Sequence, residues 1–454
     1  MHLRNKLLAI LAVVILLAVT FYGADLENSG DGEDGFFSMF SKKKDTIYFW
    51  YNDESMSDYI NSAAVMYGEK YKVRVLPQLV SESGYLEAIN QETLYGEHMP
   101  DAYLISNDSL EKAYKAGLAA PVEDISKRMS TIHFPQTALD AVTYQGKHVA
   151  YPLYYETAVL LYNEDYLKQW ALQQATREAE EAEREATQEE LQSRADEIMT
   201  RAVPKTIDDI LNMADTFDPP EAVESIFKWD VSDIFYNYYF VGNYMLMGGD
   251  TGDSKDKLDI NNEQAQKCLE VYKALNQFFY IEPDKVTYES VLQEFMEGKI
   301  VFTIATTDAV ATLSQAKKEG LTAVEYQVAL LPDPGKDLKG RSLSVTQTVA
   351  INGYSPNKEL AEQFAAYLTT EYTTLLYEKS GRVASYQFVN QNDKILNVYR
   401  AQYESSISLP KMVETGNYWL QLEVLFSKVW NGGDVTKLVD EMSERIHSQL
   451  TATN

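Results

Sequence analysis

From Asp45 onward, short apolar runs alternate with stretches of helical spacing, and this rhythm limits the fold more than any other feature. TIYFWY (46–51) is a short apolar strand, and DYINSAAVMYGEKY (58–71) sets its apolar residues at helical intervals. KVRVLPQLV (72–80) forms a second strand, YLEAINQETLYGEH (85–98) a second helix and DAYLIS (101–106) a third strand. Such alternation implies parallel strands joined by right-handed crossovers, so an α/β fold is expected. With 454 residues the chain is long enough for two compact bodies or one large one.

Residues 169–202 break the rhythm. QWALQQATREAEEAEREATQEELQSRADEIMTRA holds no Gly or Pro and favours helix strongly, with many charges placed to pair at i,i+4. Its apolar positions (Leu172, Ala175, Ala179, Ala182, Ala186) are mostly alanines and can bury little. It reads as a charged helical insertion, either a solvated helix or hairpin at the surface or an arm that docks a partner. Further on, Asp250, Asp253, Asp256 and Asp259 miss the alternate-residue spacing of a calcium loop and read as a solvated turn.

At the N-terminus Arg4 and Lys6 precede an apolar run from Leu7 to Ala24, and acidic residues follow it. That asymmetry places the N-terminus inside and the body outside the membrane. A cleaved signal peptide and a retained signal anchor both fit the run. Phe21 or Tyr22 would stand where a peptidase needs a small residue, which favours an anchoring transmembrane helix. Residues 25–44, rich in Gly, Asp, Ser and Lys, read as a flexible linker. No cysteine follows the apolar run, so lipoprotein anchoring is excluded; the lone Cys268 also leaves no disulfide framework.

A net charge of −28 argues against nucleic acid, whose phosphates require a basic face. The five histidines are scattered and form no zinc-type pair, so no metal site is expected. No nucleophile elbow, phosphate loop or dinucleotide fingerprint occurs, and no cofactor is expected. A pair of carboxylates for glycoside cleavage would be assembled by the fold rather than by local sequence, so a carbohydrate-active enzyme stays open as an alternative.

Six segments, in order, resemble the bacterial extracellular solute-binding family typified by maltose-binding protein. They are MPDAYLIS (99–106), AGLAAPVEDI (116–125), ALDAVTYQGKHVAYPLYYETAVLLYNEDYL (138–167), FMEGKIVFTI (295–304), YQVALLPDP (326–334) and INGYSPNKELAEQFAAYLT (351–369). The resemblance covers residues 46 to about 445, apart from the insertion. It implies two lobes built of mainly parallel sheets flanked by helices and joined by a hinge. The N-terminal lobe would comprise 45–155 with 332–352, and the C-terminal lobe 156–331 with 353–454. Crossings would fall near Tyr155–Ala158, Leu330–Pro332 and Asn352–Ser355, with the ligand enclosed between the lobes.

The same resemblance implies a monomeric protein that takes up a mono- or oligosaccharide outside the cytoplasm. It would deliver that sugar to ABC transporter permease subunits, with no catalysis of its own; a tethered ligand sensor is the alternative within the fold. Sugars offer hydroxyls to acid and amide groups and apolar faces to rings, so the candidates are of those types. Trp50, Asn52, Asp53 and Glu54 follow the first strand, where Trp50 also reads as strand core and Asp53 as a helix cap. Asn107 and Asp108 end the third strand or cap the helix after it. Tyr154, Tyr155 and Glu156 occupy the first crossover. Tyr418 and Trp419 match an aromatic position, with core packing the competing reading of Trp419. Trp229, Asp230 and Tyr236 align loosely. Thr306, Thr307 and Asp308 stand where the family commonly has G-P-W or G-S-W, which removes a stacking ring and adds a carboxylate.

Overall fold

The computed structural model describes residues 45–452 except 82 and 414. Leu7–Ala24 and the linker after it therefore lie outside the described residues. Among the described residues no helix is long and apolar enough to cross a membrane.

The expected opening elements form: β1 (Thr46–Tyr51), α1 (Ser57–Tyr71), β2 (Arg74–Leu79), α2 (Tyr85–Tyr95) and β3 (Ala102–Ser106). β1 lies between β2 and β3 and runs parallel to both. Pro77, which has no N–H to give to a ladder, is tolerated because β2 is the sheet edge. With β1 in the middle the two crossovers leave in opposite directions, so a crevice opens at the C-terminal end of β1. Asp53 stands there.

The first sheet is completed by Leu343–Ile351, antiparallel to β3 and to Tyr151–Thr157, and by the short strands Val383–Ala384, antiparallel to Tyr151–Thr157, and Ile407–Ser408, parallel to Leu343–Ile351. A second sheet runs Tyr326–Ala329, Val159–Asn163, Ile300–Ala305, Ser225–Phe227, and only its last pair is parallel. The expectation of mainly parallel sheets is thus corrected to mixed ones. Strands that carry the chain across to the other sheet and back arrive reversed, which makes their pairing antiparallel.

The chain passes from the first sheet to the second at Ala158 and returns between Ala329 and Leu343. The third crossing is displaced from the expected Asn352–Ser355. The helix Lys358–Ala366 packs on Leu343–Ile351 and on β3, and Val383–Ala384 pairs with Tyr151–Thr157. The chain leaves the first lobe only after Ile407–Ser408, and the helices Thr415–Trp430 and Val435–Ala452 then pack on Glu263–Phe279 in the second lobe.

The charged insertion is a hairpin of Glu164–Glu181 and Gln188–Met199. Thr187 starts the second helix through a capping box with Glu190, and Arg194 pairs with Glu178 at 2.7 Å. Ala171, Ala175, Ala195 and Ile198 form a small core of their own. The hairpin base is fastened where Trp170 Nε1 donates to Thr216 Oγ1 at 3.0 Å. Beyond Trp170 the hairpin bonds to Thr216 and Asp218, which are not part of the candidate site below. Replacing 174–196 with a short Gly/Ser turn is therefore expected to leave ligand affinity within about twofold of the parent in calorimetric titration. A tenfold loss, on the order of 1.4 kcal/mol, would show that the hairpin shapes the cleft.

Candidate functional site

A charged cluster joins the ends of three separate segments of the first lobe. Asp53 caps the turn Glu54–Met56, its Oδ1 accepting from Ser55 N at 3.0 Å and Ser55 Oγ at 2.7 Å. Its Oδ2 accepts from Tyr154 Oη at 2.9 Å and from Arg382 Nη2 at 3.0 Å. The cap reading of Asp53 therefore holds for Oδ1, while Oδ2 is held by Tyr154 and Arg382. The other amino group of Arg382, Nη1, pairs with Glu156 Oε1, and the guanidinium lies 5.5 Å from the centre of the Tyr154 ring. Arg382 is delivered by Gly381, whose φ of +70° ends the helix Leu376–Ser380 in a conformation that suits glycine.

The second lobe closes the other side. A Cβ placed on Gly381 would come within 3.2 Å of Ala311, so the lobes meet beside Arg382. Ala311 lies in the helix Asp308–Lys318, one turn past Asp308. Asp308 Oδ1 accepts from Tyr288 Oη at 3.2 Å and from Thr306 Oγ1. Tyr288 stacks on Tyr236 with ring centres 5.2 Å apart, and the Thr306 carbonyl is held by Tyr399 Oη at 2.8 Å. The result is a carboxylate beside an aromatic pair, facing the Asp53–Arg382–Glu156 cluster.

The two carboxylates that share Arg382 respond differently. Burial works against the charge of Asp53, but hydrogen bonds from Ser55, the Arg382 guanidinium and Tyr154 outweigh it and hold the carboxyl below its ordinary value. Burial pushes Glu156 up; Arg382 opposes this, while the nearby charges of Asp308 and Asp53 add to it. Among the described residues Glu156 lacks the hydrogen bonds that Ser55 and Tyr154 give Asp53, which accounts for the difference. The approach of Ala311 to Gly381 brings the start of the Asp308–Lys318 helix alongside Arg382.

Of the expected residues, Asp53, Tyr154, Glu156, Asp308 and Tyr236 come together here. Asn52 and Glu54 are exposed beside Asp53. Trp50 is buried on the α2 side of β1, where it lines an open groove of about 580 Å³ with Gly84, Gln91 and Tyr95. Tyr155 is buried against Tyr403, ring on ring at 3.8 Å. Asn107 is buried and ties chain segments, donating to Leu409 O at 2.7 Å and accepting from Thr346 N at 2.8 Å. Asp108 accepts from the hydroxyls of Ser106 and Ser109. Thr307 is fully buried.

Four remaining candidates sit in packing environments. Trp229 is wholly buried, stacked on Phe227 at 4.5 Å and bonded to Asn237 Oδ1 at 2.9 Å. Asp230 is buried and accepts from Ser232 N and Oγ. Tyr418 is wholly buried, and Trp419, half-buried, meets Tyr238 edge-on at 5.4 Å. Arg382 and Tyr288 were not among the sequence candidates. The only local signal for Arg382 is its place after a helix-ending glycine.

A crevice between two α/β lobes, with charged groups contributed by both and by the crossing strand, defines a binding protein that encloses a small solute. The model of the bacterial extracellular solute-binding protein family matches residues 62–397, and the chain belongs to that family. It is similar to the maltodextrin-binding protein of Bacillus subtilis (strain 168), with 21% identity over 406 residues and 85% of each chain covered. It is also similar to the galactooligosaccharide-binding protein of that organism, at 22% over 438 residues and 91% of each. Among solved structures, the Staphylococcus aureus extracellular solute-binding protein in complex with maltose superposes with a TM-score of 0.72 at 18% identity. The match covers 91% of this chain and all of that one. The maltose-binding protein of Listeria monocytogenes, also in complex with maltose, gives 0.72 at 17%, with the same coverage.

Proposed function

We propose that this protein captures a carbohydrate between its lobes and hands it to an ABC-type importer, acting as a binder and not as an enzyme. The observation that carries the reading is the set Asp53, Tyr154, Glu156 and Arg382 facing Asp308, Tyr288 and Tyr236. Carboxylates accept from sugar hydroxyls while the tyrosine pair offers a face to sugar C–H groups. The sugar-binding relatives support the same class of ligand. The test is a thermal-shift screen of maltooligosaccharides and galactooligosaccharides, because a ligand that binds only the folded state stabilises it by about 2.7 kcal/mol at one hundred times its Kd. A ligand recovered intact after long incubation supports a binder; no stabilisation by any sugar at millimolar concentration would reject the reading.

Within this proposal Glu156 carries the ligand's main hydrogen bond, from the strand that joins the lobes. Glu156→Ala is expected to weaken sugar binding by at least about tenfold, with an unchanged circular-dichroism spectrum. Unchanged affinity would remove Glu156 from the site.

The body works on the outer face of the cell membrane, tethered by Leu7–Ala24. The supports are Arg4 and Lys6 on the inner flank and bulky residues at the positions a signal peptidase reads. A tether of this kind raises the effective concentration of the binder at its permease. Intact mass of the protein from its native membrane is expected to include Leu7–Ala24. A mature chain starting between residues 25 and 44 would show cleavage instead.

A further inference from the structure

We infer that the solute is an amino sugar or a short oligomer of one, its ammonium group seated between Glu156 and Asp308. This rests on the carbohydrate reading above and narrows it.

Most donors that face this space are engaged within the protein. Arg382 gives one N–H of Nη2 to Asp53 and one of Nη1 to Glu156, which leaves a single N–H on each amino group, and its Nε is buried out of reach. Tyr154 Oη donates to Asp53, while Tyr288 Oη and Thr306 Oγ1 donate to Asp308. Asp53 is saturated, with two donors on each oxygen. The acceptors left open are Glu156 Oε2 and Asp308 Oδ2, which take no hydrogen bond from any described residue. A neutral sugar hydroxyl both donates and accepts, so it would find acceptors here but few free donors. An ammonium carries three donors and no acceptor, which matches what is open.

Charge leads to the same ligand. Three carboxylates face one guanidinium, and both of its amino groups serve Asp53 and Glu156. Among the described residues the hydrogen bonds to the Asp308 carboxylate come from neutral hydroxyls, and the N-terminal end of its own helix offsets part of one charge. The Tyr236–Tyr288 pair beside Asp308 offers a surface for the sugar ring.

The test is calorimetric titration of the full chain with glucosamine oligomers, their N-acetylated counterparts, neutral maltooligosaccharides and spermidine. The glucosamine oligomer is expected to bind at least about tenfold more tightly than its N-acetylated form. That preference should shrink with added salt, and as pH rises past the pKa of the amine. Asp308→Asn, which keeps the size and hydrogen-bonding reach of the side chain, should reduce the preference to near unity, with thermal unfolding checking that the variant is folded. N-acetylated or neutral sugars binding as tightly as the amine would overturn the inference and leave the carbohydrate reading standing. Spermidine binding without any sugar would overturn both. A preference that survives in Asp308→Asn would reject the assigned seat of the ammonium.

Discussion

Trp229→Ala is expected to lower the free energy of unfolding by about 3–5 kcal/mol, while the fraction that remains folded binds ligand with unchanged affinity. The indole is wholly buried, stacked on Phe227, with Trp430 edge-on at 5.6 Å and Phe240 at 6.3 Å. Truncation would open a cavity between the Ser225–Phe227 strand and the Thr415–Trp430 helix, in a close-packed region that can collapse only in part. It would also remove the donor to Asn237 Oδ1, whose amide is otherwise held by Val231 O at 2.8 Å. Trp229→Phe keeps most of the apolar volume but loses that hydrogen bond, so its cost should be smaller. Denaturant unfolding and calorimetric titration of both variants check this. A loss of affinity in Trp229→Phe without a loss of stability would place Trp229 at the ligand instead of in the core.

That contrast marks where sequence stops being informative. The elements from Thr46 to Ser106 were legible because their apolar periods differ, two residues against 3.6, and that difference is local. The first two crossings were legible because apolar strands flank them closely. The third was not. A helix such as Lys358–Ala366 carries an apolar face whichever sheet it covers, and only pairing of Val383–Ala384 with Tyr151–Thr157 decides its lobe. The site divides in the same way. Asp53 follows the first strand and Glu156 lies in the first crossover, positions that the resemblance to the family singled out. Arg382 lies 329 residues from Asp53 and 226 from Glu156, and nothing in its neighbourhood reports either partner. Aromatic type is equally silent: Trp50, Trp229 and Trp419 look alike in sequence, yet one borders a groove, one is core and one is half-buried.

Arg382→Met is expected to weaken binding of a neutral sugar and to cost about 1–3 kcal/mol of stability at neutral pH. The pair is about one-fifth to one-third exposed, so solvent moderates the penalty of stranding two carboxylates. Asp53 keeps its donors from Ser55 and Tyr154, whereas Glu156 loses its only hydrogen-bond partner among the described residues. Its carboxyl, already raised by burial and by Asp308, should rise further in the variant. A carboxyl raised in the folded state binds its proton more tightly folded than unfolded. Its stabilising contribution is then complete below the ordinary carboxylate value and is lost as pH climbs through the raised one. The stability gap between Arg382→Met and the parent should therefore narrow as pH falls from neutral toward the ordinary glutamate range. Arg382→Lys, which restores charge without the two-pronged fork, should fall between them. Denaturant unfolding at several pH values decides the point: a gap that does not change with pH would mean that Arg382 matters for packing against Tyr154 and not for balancing the carboxylates.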